Sequence, residues 1–255
     1  MLNKILIFTF LNEYCDHFVV GSCLRLFTIL KVPGIVTAFM MNKSFLFSIL
    51  ISISTYLDLS TSVNIECTFN PSNWTIVKDS YRCNINKNPW ITRCESAQVN
   101  LVTGKHEDGM TNNDVSSLRA HAKTINYFPQ GLENFFKNLK VISIYKCQLK
   151  EIHQADLKPF TKLVELILHH NQIVVLEEGL FDYNLELELI WLNYNKIKQI
   201  DPNVFDKLNK FRYFLFSSNF CSSKDVYNSR DSVKDAVKLA KVNCVGSEKK
   251  RILRK

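Results

Sequence analysis

The sequence lacks the short motifs that mark common catalytic and metal-binding sites. No HxxxH, CxxC or GxSxG pattern occurs in its 255 residues. The strongest remaining combination is Cys147 with the adjacent pair His169 and His170. Neighbouring residues on a strand point to opposite sides, so a nucleophile and its base have no evident geometry there. The sequence therefore predicts no enzyme, no metal site and no cofactor.

The sequence also lacks an apolar run long enough to cross a bilayer. Its most apolar stretch, residues 45–57, follows Met41-Asn42-Lys43 and precedes the small residues 60–62, which is typical of a secretory signal peptide. Because a signal peptide stands at the start of a chain, we interpret residues 1–40 as a gene-model extension and residues 41–62 as the signal peptide. The alternative is a genuine N-terminal segment that anchors the protein in a membrane, although Arg25 and Lys31 interrupt its apolar residues.

The net charge of +8 is not concentrated in the body of the chain. Residues 1–62 contribute a net +1 and the tail, residues 248–255, a net +4, which leaves +3 for the body of the chain. A mildly basic body in an exported chain predicts no nucleic-acid partner. We expect the tail to be a solvated end, with an anionic glycan or microbial surface as the alternative contact.

What the sequence does contain is a 24-residue period that runs without an insertion from Val115 to about Asn219. Apolar residues occupy positions one, four and six of five successive units. The five triplets are Val115-Leu118-Ala120, Leu139-Ile142-Ile144, Leu163-Leu166-Leu168, Leu187-Ile190-Leu192 and Phe211-Phe214-Phe216. An amphipathic helix does not produce such a period, because its apolar residues recur every three or four positions.

The period continues through the rest of each unit. Position nine is Asn171, Asn195 and Asn219 in the last three units and Cys147 in the second. An amide there can satisfy backbone donors and acceptors where the chain leaves the strand, and we expect Cys147 to be a buried thiol. The pattern resembles the leucine-rich repeat, whose stacked units bury a shared core. The resemblance implies an α/β solenoid, a horseshoe of about five 24-residue repeats over residues 115–220.

The segments on either side lack the repeat and hold most of the cysteines. Alternating residues in 65–69 and 81–85 predict a hairpin in an N-terminal β cap over residues 63–114, and helical spacing in 229–241 predicts a helix in a C-terminal cap over residues 221–247. Small caps gain stability from covalent links in an oxidising compartment. We therefore predict two disulfides, although connectivity is not decided by sequence alone: Cys67–Cys83 and Cys221–Cys244.

Two further features belong to this region. Asn73-Trp74-Thr75 is an N-glycosylation sequon, so we expect Asn73 to carry a glycan. Cys94 is left either as a thiol or as the disulfide partner of Cys147.

Two stretches outside the repeat pattern resemble a group of short, secreted leucine-rich-repeat proteins of insects. They are residues 104–115, which begin Gly-Lys-His-Glu-Asp-Gly, and residues 128–139, which begin Phe-Pro-Gln-Gly. The cap with Cys67, Trp74 and Cys83 fits the same group. The resemblance spans roughly residues 63–244 and implies an extracellular, non-enzymatic protein assigned to protein binding or innate immunity. The larger immune members add a C-terminal coiled coil that this sequence lacks.

The solenoid register predicts which side chains face the concave side. Positions two, three, five, seven and eight of each unit point away from the core, and aromatic residues are prominent among them. Such residues are common in binding hot spots, so we expect a protein ligand to bind there. The expected ligand-binding residues are Trp191, Ile167, Leu215, Tyr145, His169, Tyr194 and Tyr213. The alternative function is that of an extracellular-matrix or cell-surface adhesion protein, which would share every one of these sequence features.

Overall fold

The computed structural model describes residues 62–221 and 225–244. Most of the regular structure is short strands. They are β1 (Val63–Ser72), β2 (Ser80–Ile85), β3 (Val99–Thr103), β4 (Val115–His121), β5 (Val141–Tyr145), β6 (Glu165–Ile167), β7 (Val175–Leu176), β8 (Leu189–Trp191), β9 (Gln199–Ile200) and β10 (Tyr213–Leu215), with helices α1 (Gln154–Leu157) and α2 (Arg230–Cys244). The proposed gene-model extension, nearly all of the signal peptide and the basic tail lie outside the described residues.

Each of the five repeats supplies one strand to a parallel sheet. The strands follow the order β10-β8-β6-β5-β4, and the sheet continues into the N-terminal cap through β2, β1 and β3. Ser117 lies opposite Val141, Val141 opposite Glu165, and Glu165 opposite Leu189, so each pairing step advances by one 24-residue unit. The predicted solenoid of stacked units is confirmed. The 24-residue period of the sequence equals the spacing between paired residues on neighbouring strands.

The core lies on one side of this sheet, between the strands and the returning segments. The residues at positions one, four and six are buried in all five units, as in Leu163, Leu166 and Leu168. Position eight has a left-handed backbone in every unit, with φ between 52° and 59° at Ala122, Lys146, His170, Tyr194 and Ser218. This repeated turn takes the chain off the strand and into the return.

The asparagines at position nine close the turns of the last three units, as predicted. Asn171 Oδ1 accepts hydrogen bonds from the backbone N–H groups of Cys147 and Leu149, at 3.0 and 3.1 Å. Its Nδ2 donates to the carbonyls of Ile144 and Leu168, at 2.7 and 2.9 Å. One amide therefore ties two successive units together through four hydrogen bonds.

The N-terminal cap is a hairpin that extends the repeat sheet. Strand β1 pairs antiparallel with β2, and β2 pairs in parallel with β4 of the first repeat. The Cys67–Cys83 disulfide joins the two hairpin strands, as predicted. Strand β3 lies on the outer side of β1 and leads toward the first repeat.

The C-terminal cap is the predicted helix. Helix α2 begins after Ser229, whose hydroxyl accepts a hydrogen bond from the N–H of Ser232 at 3.2 Å, the capping role expected of a serine at that point. Val233, Ala236 and Ala240 are buried on one face of the helix. The Cys221–Cys244 disulfide fastens its last residue to the end of the fifth repeat. Within the described residues, no helix combines the length and hydropathy that a bilayer crossing requires.

Candidate binding face

The concave face, the side of the repeat sheet opposite the core, is partly covered by the chain itself. The loop between β1 and β2, residues 73–79, lies over the middle of the sheet, and we call it the strap. Its side chains Trp74, Ile76 and Val77 pack against a small apolar cluster on the sheet. That cluster consists of Val141, Ile167 and Leu189, with Trp191 and Tyr213 at its margin.

A buried carboxylate anchors the strap. Glu165 lies at position three of its unit and is fully buried. Its Oε1 accepts hydrogen bonds from the backbone N–H groups of Ile76 and Val77, at 2.6 and 2.7 Å. Burial raises the pKa of this carboxyl above its usual range, while the two backbone hydrogen bonds act in the opposite direction. The strap therefore meets the sheet through one specific polar contact as well as through apolar packing.

The structure corrects the expectation that Ile167 and Leu215 are available to a ligand, and for Ile167 the strap is the reason. Ile167 and Leu215 are each only 5% exposed, so the expected exposure is wrong for both. Trp191 and Tyr213 are half-buried, because they pack at the margin of the cluster beneath the strap. Apolar side chains on two neighbouring surfaces gain free energy by excluding water from each other, and the strap supplies the second surface.

Beside the strap, four rings form a row that crosses four consecutive repeats, which we call the ring row. The ring centroids of His121 and Tyr145 are 4.4 Å apart, those of Tyr145 and His169 4.7 Å, and those of His169 and Trp191 4.4 Å. Neighbouring strands in a sheet are about 4.8 Å apart, which is also a stacking distance for aromatic rings. His121, Tyr145 and His169 occupy position seven of successive repeats and therefore stack side by side, and Trp191 joins the row from position five of the fourth repeat.

His170 and Tyr194 form a second, shorter stack at position eight. Their centroids are 4.3 Å apart, and Tyr194 is 54% exposed. The two stacks touch, since Nδ1 of His169 lies 2.8 Å from Nδ1 of His170. The sequence-based expectation that these adjacent histidines point to opposite sides is wrong, because the left-handed backbone of His170 turns its ring toward that of His169.

The histidines of the concave face are neutral at neutral pH. Burial, helped by the charge of Lys146, lowers the pKa of His169 to about 4. Burial and nearby cations also lower the pKa of His121 and of His170. The ring row thus presents uncharged imidazoles over most of the physiological range.

The fixed charges beside the ring row are positive. The guanidinium of Arg119 lies 5.5 Å from the ring centroid of Tyr145 and donates a hydrogen bond to its hydroxyl. Arg82 lies 6.0 Å from the ring centroid of Trp74 on the strap. Lys123 and Lys146 act electrostatically on His121. A partner with acidic groups complements this part of the face.

Stacking also decides which parts of the rings a partner can touch. Rings that lie face to face, with interplanar angles of 21° to 31°, cover one another's faces. Their edges, which carry the hydroxyl of Tyr145 and the ring nitrogens of the histidines, are what remains for a partner. The row is therefore suited to hydrogen bonding and edge contacts rather than to stacking a flat ligand on an open ring face.

Position seven of the fourth unit departs from the sequence-based expectation of an exposed side chain. Asn193 is only 7% exposed, and its Nδ2 donates to Ser217 Oγ at 2.9 Å and to Asp225 Oδ2 at 3.0 Å. Asp225 Oδ1 accepts from the N–H groups of Phe216 and Ser217. The C-terminal part of the concave face is therefore covered by polar contacts with the segment that precedes α2.

The thiol of Cys147, which the sequence analysis considered together with His169 as a catalytic combination, lies buried in the core. Cys147 is fully buried, belongs to no disulfide, and donates to the carbonyl of Tyr145 at 3.2 Å. Burial raises its pKa, so it stays a protonated thiol. The alternative of a Cys94–Cys147 disulfide is therefore wrong. Among the described residues, no group of three or more His, Cys, Asp or Glu side chains is arranged to hold a metal ion.

The strap is the structural element of the concave face that sequence reasoning missed. Two signals pointed to it. The column of third-position residues, Val141, Glu165, Leu189 and Tyr213, contains one acid among apolar and aromatic neighbours. The loop between the cap strands carries Trp74, Ile76 and Val77, which a solvated turn does not need.

Comparison with known proteins places this geometry in a class. Residues 161–219 match the family model described as leucine rich repeat. The parallel sheet gains one strand every 24 residues, and a disulfide closes each cap. With these features, the fold is a leucine-rich-repeat solenoid. No curated protein matches the chain. The narrower resemblance to secreted insect proteins stays a prediction.

Solved structures that match part of the chain include the following three. A structure of the Toll–Spatzle complex from Drosophila matches with 18% identity and a TM-score of 0.39, covering 49% of this chain and 17% of that one. An internalin, inlF, from Listeria monocytogenes matches with 20% identity and a TM-score of 0.35, covering 48% and 35%. A TLR13–ssRNA13 complex matches with 23% identity and a TM-score of 0.36, covering 42% and 18%. The chain thus matches only about a sixth to a third of the length of each.

Proposed function

We propose that this protein is a secreted, non-enzymatic binding protein that recognises a protein ligand through the ring row on its concave face, with innate immunity as its setting. The observation that carries the proposal is the ring row itself. Four rings from four consecutive repeats form an unbroken stack beside the strap. A solenoid core needs no such row on its outer side, since the core is complete on the other side of the sheet.

The row is pre-organised for binding. Each inner ring is held by a neighbour on both sides, so it loses little rotational freedom when a partner arrives. His169, for example, lies between Tyr145 and Trp191. Tyrosine and tryptophan are also the residues that most often dominate the energetics of protein interfaces.

The charge around the row favours an acidic partner surface. Arg119 lies against Tyr145, and the carboxylate of Glu165, in the middle of the sheet, is buried beneath the strap. A protein ligand with Asp or Glu side chains would therefore meet exposed cations together with neutral imidazole and phenol edges. An anionic glycan on a microbial surface is the second ligand chemistry that this charge pattern suits.

Export from the cell is supported by the cysteines and by the glycosylation sequon. Both caps are closed by disulfides, which persist in oxidising compartments. Asn73 and Thr75 of the sequon are exposed on the strap, where a glycan can be attached without unfolding. A glycan at this point would stand on the strap, on the concave side of the sheet.

The test is affinity capture from the extracellular fluid of the source organism. Three baits are compared, namely the wild-type secreted protein, Trp191→Ala and the control Tyr183→Ala. Loss of the Trp191 side chain should weaken binding of the captured protein by about 2 kcal/mol or more, roughly a 30-fold loss of affinity. Tyr183 is also an aromatic residue, 42% exposed, but it lies on the return segment between β6 and β8, so its variant should bind like the wild type.

Folding of each bait is checked by circular dichroism before capture. Equal capture by the Trp191 variant and the wild type would move the binding site away from the ring row. Recovery of an insoluble matrix component instead of a soluble or microbial ligand would favour the extracellular-matrix or adhesion alternative.

A further inference from the structure

The pair of neighbouring histidines on the concave face has a geometry that the proposed function does not require. His169 lies at position seven, two residues after the end of β6, and His170 adopts the left-handed backbone of position eight with φ of 55°. The two rings meet at an interplanar angle of 75°, and their Nδ1 atoms converge to 2.8 Å. Without a bound ion, this approach is a hydrogen bond from one imidazole to the other.

Both rings are fixed from outside the pair. Tyr145 and Trp191 stack on His169 at centroid distances of 4.7 and 4.4 Å. Tyr194 stacks on His170 at 4.3 Å. Since the flanking rings hold the two imidazoles in place, the convergence of the nitrogens is built into the sheet and does not depend on two free side chains finding each other.

We propose that His169 and His170 form a two-histidine site for a divalent transition-metal ion of square-planar or tetragonal preference, Cu²⁺ above all, with solvent in the remaining positions. A metal–nitrogen distance of about 2.0–2.1 Å combined with the 2.8 Å separation gives a nitrogen–metal–nitrogen angle of about 86°. That angle fits adjacent positions of a square plane, whereas a tetrahedral ion such as Zn²⁺ needs its two nitrogens about 3.3 Å apart.

Binding requires that both Nδ1 lone pairs are available. Each neutral imidazole carries one ring proton, and the ring that donates the hydrogen bond must move this proton from Nδ1 to Nε2. No proton is lost to solvent in that exchange. The ammonium of Lys146 acts on both histidines and opposes the ion, which limits the affinity.

Within the described parts of the chain, no third His, Cys, Asp or Glu completes the site. An ion bound here would therefore keep open positions that face the concave side. His169 is also a member of the ring row, but the site is defined by two ligands of this chain and its probe is the metal alone, so its test does not depend on a protein ligand.

The experiment titrates the full secreted protein with copper sulfate at neutral pH, followed by calorimetry and by electron paramagnetic resonance. One equivalent of Cu²⁺ with two imidazole nitrogens in its spectrum is expected, and Zn²⁺ should bind more weakly. His170→Asn is the main variant, since asparagine tolerates a left-handed backbone. Changes outside the ligands themselves already weaken metal sites by about 10–100-fold, so loss of this ligand should cost at least about tenfold.

The matched control is His121→Asn, which removes a histidine of the same ring row that has no adjacent histidine. It should leave Cu²⁺ affinity unchanged. His169→Asn provides a second ligand variant, and circular dichroism verifies that all variants fold. Absence of stoichiometric copper binding, copper binding unchanged in both ligand variants, or Zn²⁺ bound as tightly as Cu²⁺ would each overturn the assignment.

Discussion

Replacing Asn171 by alanine should destabilise the protein about twice as much as replacing Asn195, although both occupy position nine. The difference lies in the backbone donors that each amide satisfies. Asn171 Oδ1 accepts from Cys147 N and Leu149 N, whereas Asn195 Oδ1 accepts from Ile173 N alone, at 3.1 Å. The comparison tests how the asparagine ladder stabilises the solenoid.

The backbone carbonyls of the ladder are less affected than the N–H groups when one asparagine is lost. The carbonyl of Leu168 accepts from both Asn171 Nδ2 and Asn195 Nδ2, each at 2.9 Å. The carbonyl of Leu192 likewise accepts from Asn195 and Asn219, each at 3.0 Å. Removing Asn195 therefore leaves both of its carbonyls with another partner, and only one N–H group is orphaned.

A buried N–H group without a partner costs about 1–3 kcal/mol. We therefore expect Asn195→Ala to lower the free energy of unfolding by about 1–3 kcal/mol and Asn171→Ala by roughly twice that amount. The measurement is urea unfolding followed by circular dichroism with the disulfides intact, and the slope of each transition shows whether unfolding stays cooperative. The control is Asn203→Ala at an exposed position, which should change stability by less than about 0.5 kcal/mol. Equal losses for the two ladder asparagines would refute this account of the hydrogen bonding.

Two further predictions concern the C-terminal cap and the return segments. Replacing both Cys221 and Cys244 by alanine should lower the free energy of unfolding by about 3 kcal/mol, because the disulfide spans 23 residues. Hydrogen exchange should show the loss of protection in α2 first. Protection equal to that of the wild type would contradict a stabilising role of the disulfide at this end of the solenoid. The carboxylates of Glu151 and Glu177 raise the folded-state pKa of His153 to about 10, so its ion pairs stabilise the fold fully below about pH 6.5 and lose that effect as the pH rises toward 10. The side chain is 41% exposed, so solvent screening keeps the contribution small. His153→Gln should flatten the fall in melting temperature over this range, and an unchanged alkaline slope would show that another group is responsible.

The sequence by itself determined the repeat architecture of this protein. Core positions recur every 24 residues, and a parallel sheet with one strand per unit is the arrangement that places all of them on one side. The same periodicity identified Asn171 and Asn195 as hydrogen-bonding residues and Cys147 as a buried one. Such features follow from local pattern, because each unit repeats the environment of the one before it.

The two cap disulfides were also predicted correctly, for a different reason. The cysteines flank the repeats, and the ends of a solenoid are where a covalent link helps most. Cys67 and Cys83 fall on strands whose alternation predicts a hairpin, and in that hairpin they lie diagonally across the two strands, with Cα atoms 5.2 Å apart. Cys221 and Cys244 bracket a helix that has only the last repeat to cover.

Only the tertiary structure decided what lies on the concave face. The repeat register showed that Ile167 points away from the core. It carries no information about the strap, a loop about 90 residues earlier that covers this side chain. The opposite error occurred at His170, where strand alternation separates its ring from that of His169 and a left-handed backbone unites them. Repeat periodicity describes contacts between equivalent positions of neighbouring units. Contacts between a repeat and a non-repeating segment have no period, and they depend on where the whole chain places its surfaces.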